Sequence, residues 1–95
     1  MVIKFVWDLK KAKTNERKHR VAFQEAVTVF VDPLARIHDD PAHSSSERRE
    51  IIVGHSAQGR LLVVSFTERG AAVRIISARQ ATRHERKDYE TRKRS

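Results

Sequence analysis

The side chains best able to do chemistry here are cations and proton carriers. Lys11, Asn15 and Lys18 follow one another at spacings of four and three, which is one face of a helix, and His19 adjoins Lys18. Lysine and asparagine so placed could hold phosphates and a ribose, and an imidazole could move a proton. A solvated helix face ending in a packed histidine would use the same residues. Further along, Arg74 and Arg79 bracket Ile75-Ile76-Ser77-Ala78. Strict alternation puts Arg74 on one face of a strand and Val73, Ile75, Ser77 and Arg79 on the other. An arginine in so apolar a strand must pair, reach solvent or face a cleft. Its planar fork suits phosphate, although Glu47, Glu50 or Glu85 could neutralise it instead. Glu47 and Arg49 lie two apart and share a face, so the carboxylate could act as a base or simply pair. Trp7 and Tyr89 could stack on bases, with burial the better expectation for Trp7.

Other chemistries lack their parts. Cysteine is absent, which removes disulfides, thiolate metal sites and a cysteine nucleophile, and makes a reducing, cytoplasmic setting the simplest expectation. His38-Asp39-Asp40-Pro41-Ala42-His43 holds metal-ligand residue types, but their spacing matches no strong site, so no metal and no cofactor are expected. Glycine-rich phosphate loops and a nucleophile elbow are missing, and Ser65 and Ser77 have no evident base. No apolar run approaches the roughly 20 residues of a membrane span. What remains is charge. The 95 residues carry 20 Lys+Arg against 12 Asp+Glu, a net +8, with 39% apolar residues. Residues 1–30 hold seven basic and three acidic side chains, residues 31–60 four and five, and residues 61–95 nine and four. Two basic ends flanking a near-neutral middle would form one positive surface if the fold joins them, and polyanions are the natural partners.

The elements that must position these residues can be read from pattern. One small domain spanning 1–95 is expected, with a polar tail over about 90–95 that frays unless a partner covers it. Val2 to Trp7 suits a short strand. Asp8 is placed to cap a helix from about Leu9 to Arg20, whose thin apolar stripe is Leu9 and Ala12. A second helix, about Phe23 to Val31, places Phe23, Ala26, Val27 and Phe30 on one side, and Asp32-Pro33 stops it. Ala35 to His38 reads as a short strand and Asp39 to Ser46 as a loop. Arg49 to Ser56, Arg60 to Thr67 and Ala71 to Ala78, separated at Gly59 and Gly70, read as an antiparallel meander. Leu61 to Phe66 is apolar on both faces and so suits a central strand. Thr82-x-x-Glu85 announces a final, highly polar helix. The sum is an α/β (α+β) domain: an antiparallel sheet of three to five strands with two N-terminal helices and one C-terminal helix.

Several pieces recur together: Phe5-x-Trp7-Asp8-x-x-Lys11, Asn15-x-x-Lys18-His19, Phe23-x-Glu25-Ala26, Val29-Phe30-x-Asp32, Glu47-x-Arg49, Arg74-Ile75-Ile76-Ser77-Ala78-Arg79, Ala81 and Glu85-x-x-x-Tyr89. Over about residues 5 to 89 this run resembles the BrnT family of toxins from bacterial type II toxin–antitoxin pairs. The resemblance implies a RelE-like fold and metal-independent endoribonuclease activity that inhibits translation. It also implies neutralisation by a BrnA-like ribbon-helix-helix antitoxin in a hetero-oligomer, two toxins with two antitoxins being one such assembly, with operator DNA bound only through the antitoxin. By motif position His19, Glu47, Arg49 and Arg79 would be catalytic, and Lys11, Asn15, Lys18, Arg74 and Tyr89 would bind RNA. Two departures from the family pattern are local: Arg20 stands where a glycine is usual, and Ala22 stands where a capping Ser or Asp is common. A non-catalytic basic module that binds RNA or a protein is the alternative function.

Overall fold

The computed structural model describes residues 3–40 and 47–93; His43 lies outside them. The chain runs β1 (Lys4–Val6), α1 (Leu9–His19), α2 (Phe23–Val29), β2 (Arg36–Asp39), β3 (Glu50–His55), β4 (Leu61–Arg69), β5 (Ala72–Gln80) and α3 (Arg83–Lys93). The five strands form one sheet in the order β1-β5-β4-β3-β2. β2 to β5 are antiparallel neighbours, as the meander predicts. β1 differs from the expected all-antiparallel sheet by joining the edge of β5 in parallel, Val6 opposite Arg74. That pairing brings the two basic ends of the chain side by side.

Local signals account for the element ends. The Asp8 carboxylate accepts from the amides of Lys10 and Lys11 at 2.8 and 3.0 Å, so α1 starts with its free donors satisfied. Thr82 and Glu85 form the reciprocal capping box of α3, at 3.1 and 2.9 Å. Ala22 gives α2 no side-chain cap. Arg20 closes α1 in the left-handed region at φ 60°, where a glycine would sit without strain. Its carbonyl accepts from Arg60, which also grips the buried Glu25 carboxylate through Nε at 2.9 Å. Burial of that carboxylate would be costly alone. Arg60 and the Ser56 hydroxyl satisfy it and hold its pKa down.

α1 and α2 cover one face of the sheet. Val21, Phe23, Ala26 and Val29 pack there against Ile52, Leu62, Val64, Phe66, Ile75 and Ala78. Edge-to-face rings tie Phe5 to Phe30, Phe30 to Phe66 and Trp7 to Phe23, so Trp7 packs half-buried against the core, short of the burial expected of it. Leu9 departs from its expected place in the α1 stripe, being 73% exposed. The inward residue of α1 is instead Asn15. Its amide donates to Ala78 O at 2.8 Å and to Val21 O at 2.9 Å, and Ala78 N donates back to its Oδ1 at 3.0 Å. Past Val6, where β1 stops, this one side chain completes the hydrogen bonding of the β5 edge.

β5 itself breaks the expected alternation. Ser65 pairs with Ser77, but the next residue, Phe66, pairs with Ile75, so Ile76 is an extra residue in a β-bulge. The bulge shifts the phase of everything after it. Arg74, Ser77 and Arg79 therefore share the face away from α1 and α2, while Val73, Ile75 and Ala78 face the helices. The expectation that Arg74 and Arg79 point oppositely is corrected on this ground.

Candidate functional site

The face opposite α1 and α2 can be followed row by row from the strand register. One row holds His38, Ile51, Ser65 and Ser77; the next holds Arg36, Val53, Val63 and Arg79. Above them Thr67 pairs with Arg74, and the alternation of β3 carries Arg49 to the same level and face. With strands about 4.8 Å apart, Arg49 and Arg74 stand on either side of Thr67, their backbones about 10 Å from each other. Thr67 fixes that row: its hydroxyl donates to Arg48 O at 2.7 Å, while Asp40 N donates to Arg49 O at 3.0 Å. Glu47 lies beyond the row and is ion-paired with Arg69. Hydrogen bonding from Arg69 lowers the Glu47 pKa, and the charges of Arg74 and Arg49 add to it. Lys11 reaches the same end from α1. The Asp8 pKa is lowered by the Lys11 amide first, and by the Lys11 and Arg74 charges beyond that. Glu47, Arg49, Arg69 and Arg74 thus make one cluster, and Lys11 is linked to it through Asp8, whose carboxylate feels both Lys11 and Arg74. Arg69 is the member that the sequence did not single out; only its place at the end of β4, two residues beyond Thr67, could have suggested it.

The lower half of the same face is covered by α3. Arg79 and Glu85 form a two-pronged ion pair at 2.7 and 2.9 Å. That pair pulls the Glu85 carboxyl down to about 2, with the Thr82 amide and hydroxyl assisting. Tyr89 is 3% exposed, sets its ring edge-on to His55, and donates its hydroxyl to Leu34 O at 3.1 Å. Burial raises its pKa. Its ring is therefore occupied with anchoring α3 and not presented as a stacking platform. Between α3 and the strands lies a cavity of about 200 Å³.

A second, more open recess of about 320 Å³ runs beside α1, where Lys10, Lys11, Thr14, Lys18 and His19 face Ile76 and Ser77. It gathers three of the four helix residues selected by spacing as surface groups. Asn15 lines it too, but its amide is saturated by backbone, which makes it a positioning residue for β5. His19 and Glu47 do not come together. From the Arg74 row to Ala78 is about 13 Å of strand, and His19 lies roughly one further helical turn, about 5 Å, past Asn15. Among the described residues no three His, Asp or Glu side chains gather into a metal site, and no helix is long and apolar enough to cross a membrane.

The comparisons agree with this architecture. Curated protein sequences give no significant match. Among solved structures, the 1.1 Å crystal structure of the Brucella abortus ribonuclease toxin BrnT superimposes with a TM-score of 0.67. The match covers 86% of this chain and 100% of that one at 24% identity, a likeness of fold. Residues 7–85 match the family model described as ribonuclease toxin, BrnT, of type II toxin–antitoxin system. That span takes in both helices under the sheet, all of β2 to β5 and the capping box of α3, so the chain belongs to the BrnT family of ribonuclease toxins.

Proposed function

We propose that this chain is a metal-independent endoribonuclease whose reaction centre is the Arg49–Arg74 row, with Glu47 beyond its end and Lys11 approaching from α1. The observation that carries the reading is the convergence of cations from the start of β3, the end of β4 and β5 on the one carboxylate of Glu47, on the half of the sheet face that no described helix covers. RNA brings its own nucleophile, the ribose 2′-hydroxyl. Glu47, kept ionised by Arg69, accepts that proton as the oxygen attacks phosphorus. Arg49, Arg74 and Lys11 offset the charge gained by the phosphoryl oxygens. The bond from phosphorus to the 5′ oxygen breaks and that oxygen takes a proton from solvent water, leaving a 2′,3′-cyclic phosphate and a 5′-hydroxyl, while Glu47 returns its proton to solvent. In this reading Lys18 and His19 extend the phosphate track along α1, and Arg79 bounds the site below. The recess beside α1 supports that extension by placing both in line with Lys11.

The antitoxin is proposed to be a ribbon-helix-helix protein that assembles with this chain in the cytoplasm and covers the cationic row. The test uses the purified chain freed of antitoxin, a defined RNA and excess EDTA. Fragments ending in 2′,3′-cyclic phosphate are the expected result, and cleavage seen only after magnesium is added would overturn it. Salt-dependent binding of RNA that stays intact would establish a non-catalytic module instead. Growth arrest on expression, relieved by co-expression of a neighbouring ribbon-helix-helix protein, checks the partner.

A further inference from the structure

The cavity under α3 has the makings of a nucleobase site. Its floor is apolar, formed by Ile51, Val53 and Val63, with the edge of Tyr89 as one wall. Its mouth carries both signs: Arg36 and His38 are exposed on β2, Arg79 paired with Glu85 closes the side toward β5, and Asp88 of α3 completes the lining. Arg79 is already neutralised by Glu85, whereas Arg36 lies near enough to the Tyr89 hydroxyl to oppose, by its charge, the burial that raises that phenol. An apolar floor meeting a guanidinium fork at one edge suits a flat, unstacked ring with two acceptors side by side. The volume of about 200 Å³ admits one base. The cavity shares its face and strands with the Arg49–Arg74 row, so one RNA strand can rest a phosphate on the row and turn a base into the cavity.

We propose that this cavity is a guanine-reading subsite in which Arg36 donates from its fork to O6 and N7 of a base neighbouring the cleaved phosphate. Adenine presents an amino donor where guanine presents O6, so the same fork opposes it; pyrimidines lack N7. This inference rests on the ribonuclease reading for its biological use but not for its binding test. The probes are 3′-GMP, 3′-AMP, 3′-CMP and 3′-UMP, each titrated into the isotope-labelled full chain while the methyl resonances of Ile51, Val53 and Val63 are followed. 3′-GMP should move those methyls and bind about tenfold more tightly than 3′-AMP, as one bidentate contact allows. Arg36→Gln, with an unchanged melting temperature as the folding control, should reduce that preference to less than twofold. Arg36→Lys should do nearly the same, because an ammonium is not a fork. On RNA, wild-type cuts should cluster at one position relative to G, and Arg36→Gln should scatter them.

Methyls unmoved by all four nucleotides, or moved equally by them, would overturn the subsite. So would methyl shifts produced only by the antitoxin, which would make the cavity a protein anchor. Guanylate binding without RNA cleavage would remove the ribonuclease reading and leave the subsite standing. Cleavage whose positions ignore both G and Arg36 would do the reverse.

Discussion

One sheet face serves two purposes in its two halves. In the upper half Arg49 and Arg74 flank Thr67, and among the described residues no helix lies above them. In the lower half Arg79 is clamped by Glu85, and Tyr89 of α3 is buried on the side of the helix that faces Val63. The strands, the face and the residue type are the same in both. What differs is the presence of a capped helix bearing a carboxylate at the right height. Arg79 is scaffold because Glu85 supplies its counter-charge in direct contact, whereas under the proposed function Arg49 and Arg74, whose charges Glu47 feels, seat phosphate. Charge counted along the chain cannot make that distinction, because it depends on which half α3 lies over.

The comparison can be broken by mutation. Arg74→Ala should lower kcat/KM for RNA cleavage by about 10²–10³-fold, roughly 3–4 kcal/mol of transition-state stabilisation, with little change in melting temperature. A larger activity loss in Arg79→Ala than in Arg74→Ala would reverse the roles of the two halves. Asn15→Ala should destabilise the fold by about 2–3 kcal/mol in urea titration, since it strands buried groups on Ala78 and Val21; a loss below about 0.5 kcal/mol would show that β5 needs no such support. Glu85→Gln should weaken α3 by about 1 kcal/mol at neutral pH, a figure already reduced for the partial exposure of both partners. Because the Glu85 carboxyl is depressed from 4.5 to about 2, its stabilisation is present above pH 4.5 and lost as pH falls toward 2. Thermal melts of wild type and variant should therefore differ at pH 7 and converge near pH 2. The smallest effect belongs to Leu9→Ser, within about 0.5 kcal/mol in the same urea assay, because that side chain faces water.

Features decided within a few residues were readable from the sequence. Asp8 caps α1, Thr82 and Glu85 box α3, and Gly59 and Gly70 turn the two hairpins with φ of 81° and 59°, whereas α2 ends at Val29, two residues before the expected Val31, and tightens into three-residue turns ahead of Asp32-Pro33. The cationic positions were visible as residue types at recurring spacings. Their grouping was not, since grouping is a property of contacts across the sheet. Asn15 looked like a surface group because its partner Ala78 is 63 residues away. Tyr89 looked available because Leu34, which accepts its hydroxyl, is 55 residues away. Leu9 looked buried because a helical stripe does not say where a helix overhangs the sheet. Strict alternation misplaced Arg79 because the bulge carries no glycine or proline to announce it.

The bulge also sets how this strand can change over evolutionary time. Side chains in β5 take their sides by counting parity, and Ile76 is the one residue that resets the count. Substitution at 76 leaves the count intact. Removal of that single residue would close the bulge into a regular ladder and leave Ser77 and Arg79 outward and Ala78 inward, because Arg74, Ile75, Ser77, Ala78 and Arg79 already alternate once Ile76 is left out. β5 can therefore lose a residue at the bulge without any side chain changing face, so lineages that keep this cationic face should vary in residue type across 72–80 and place any one-residue difference in length at 76.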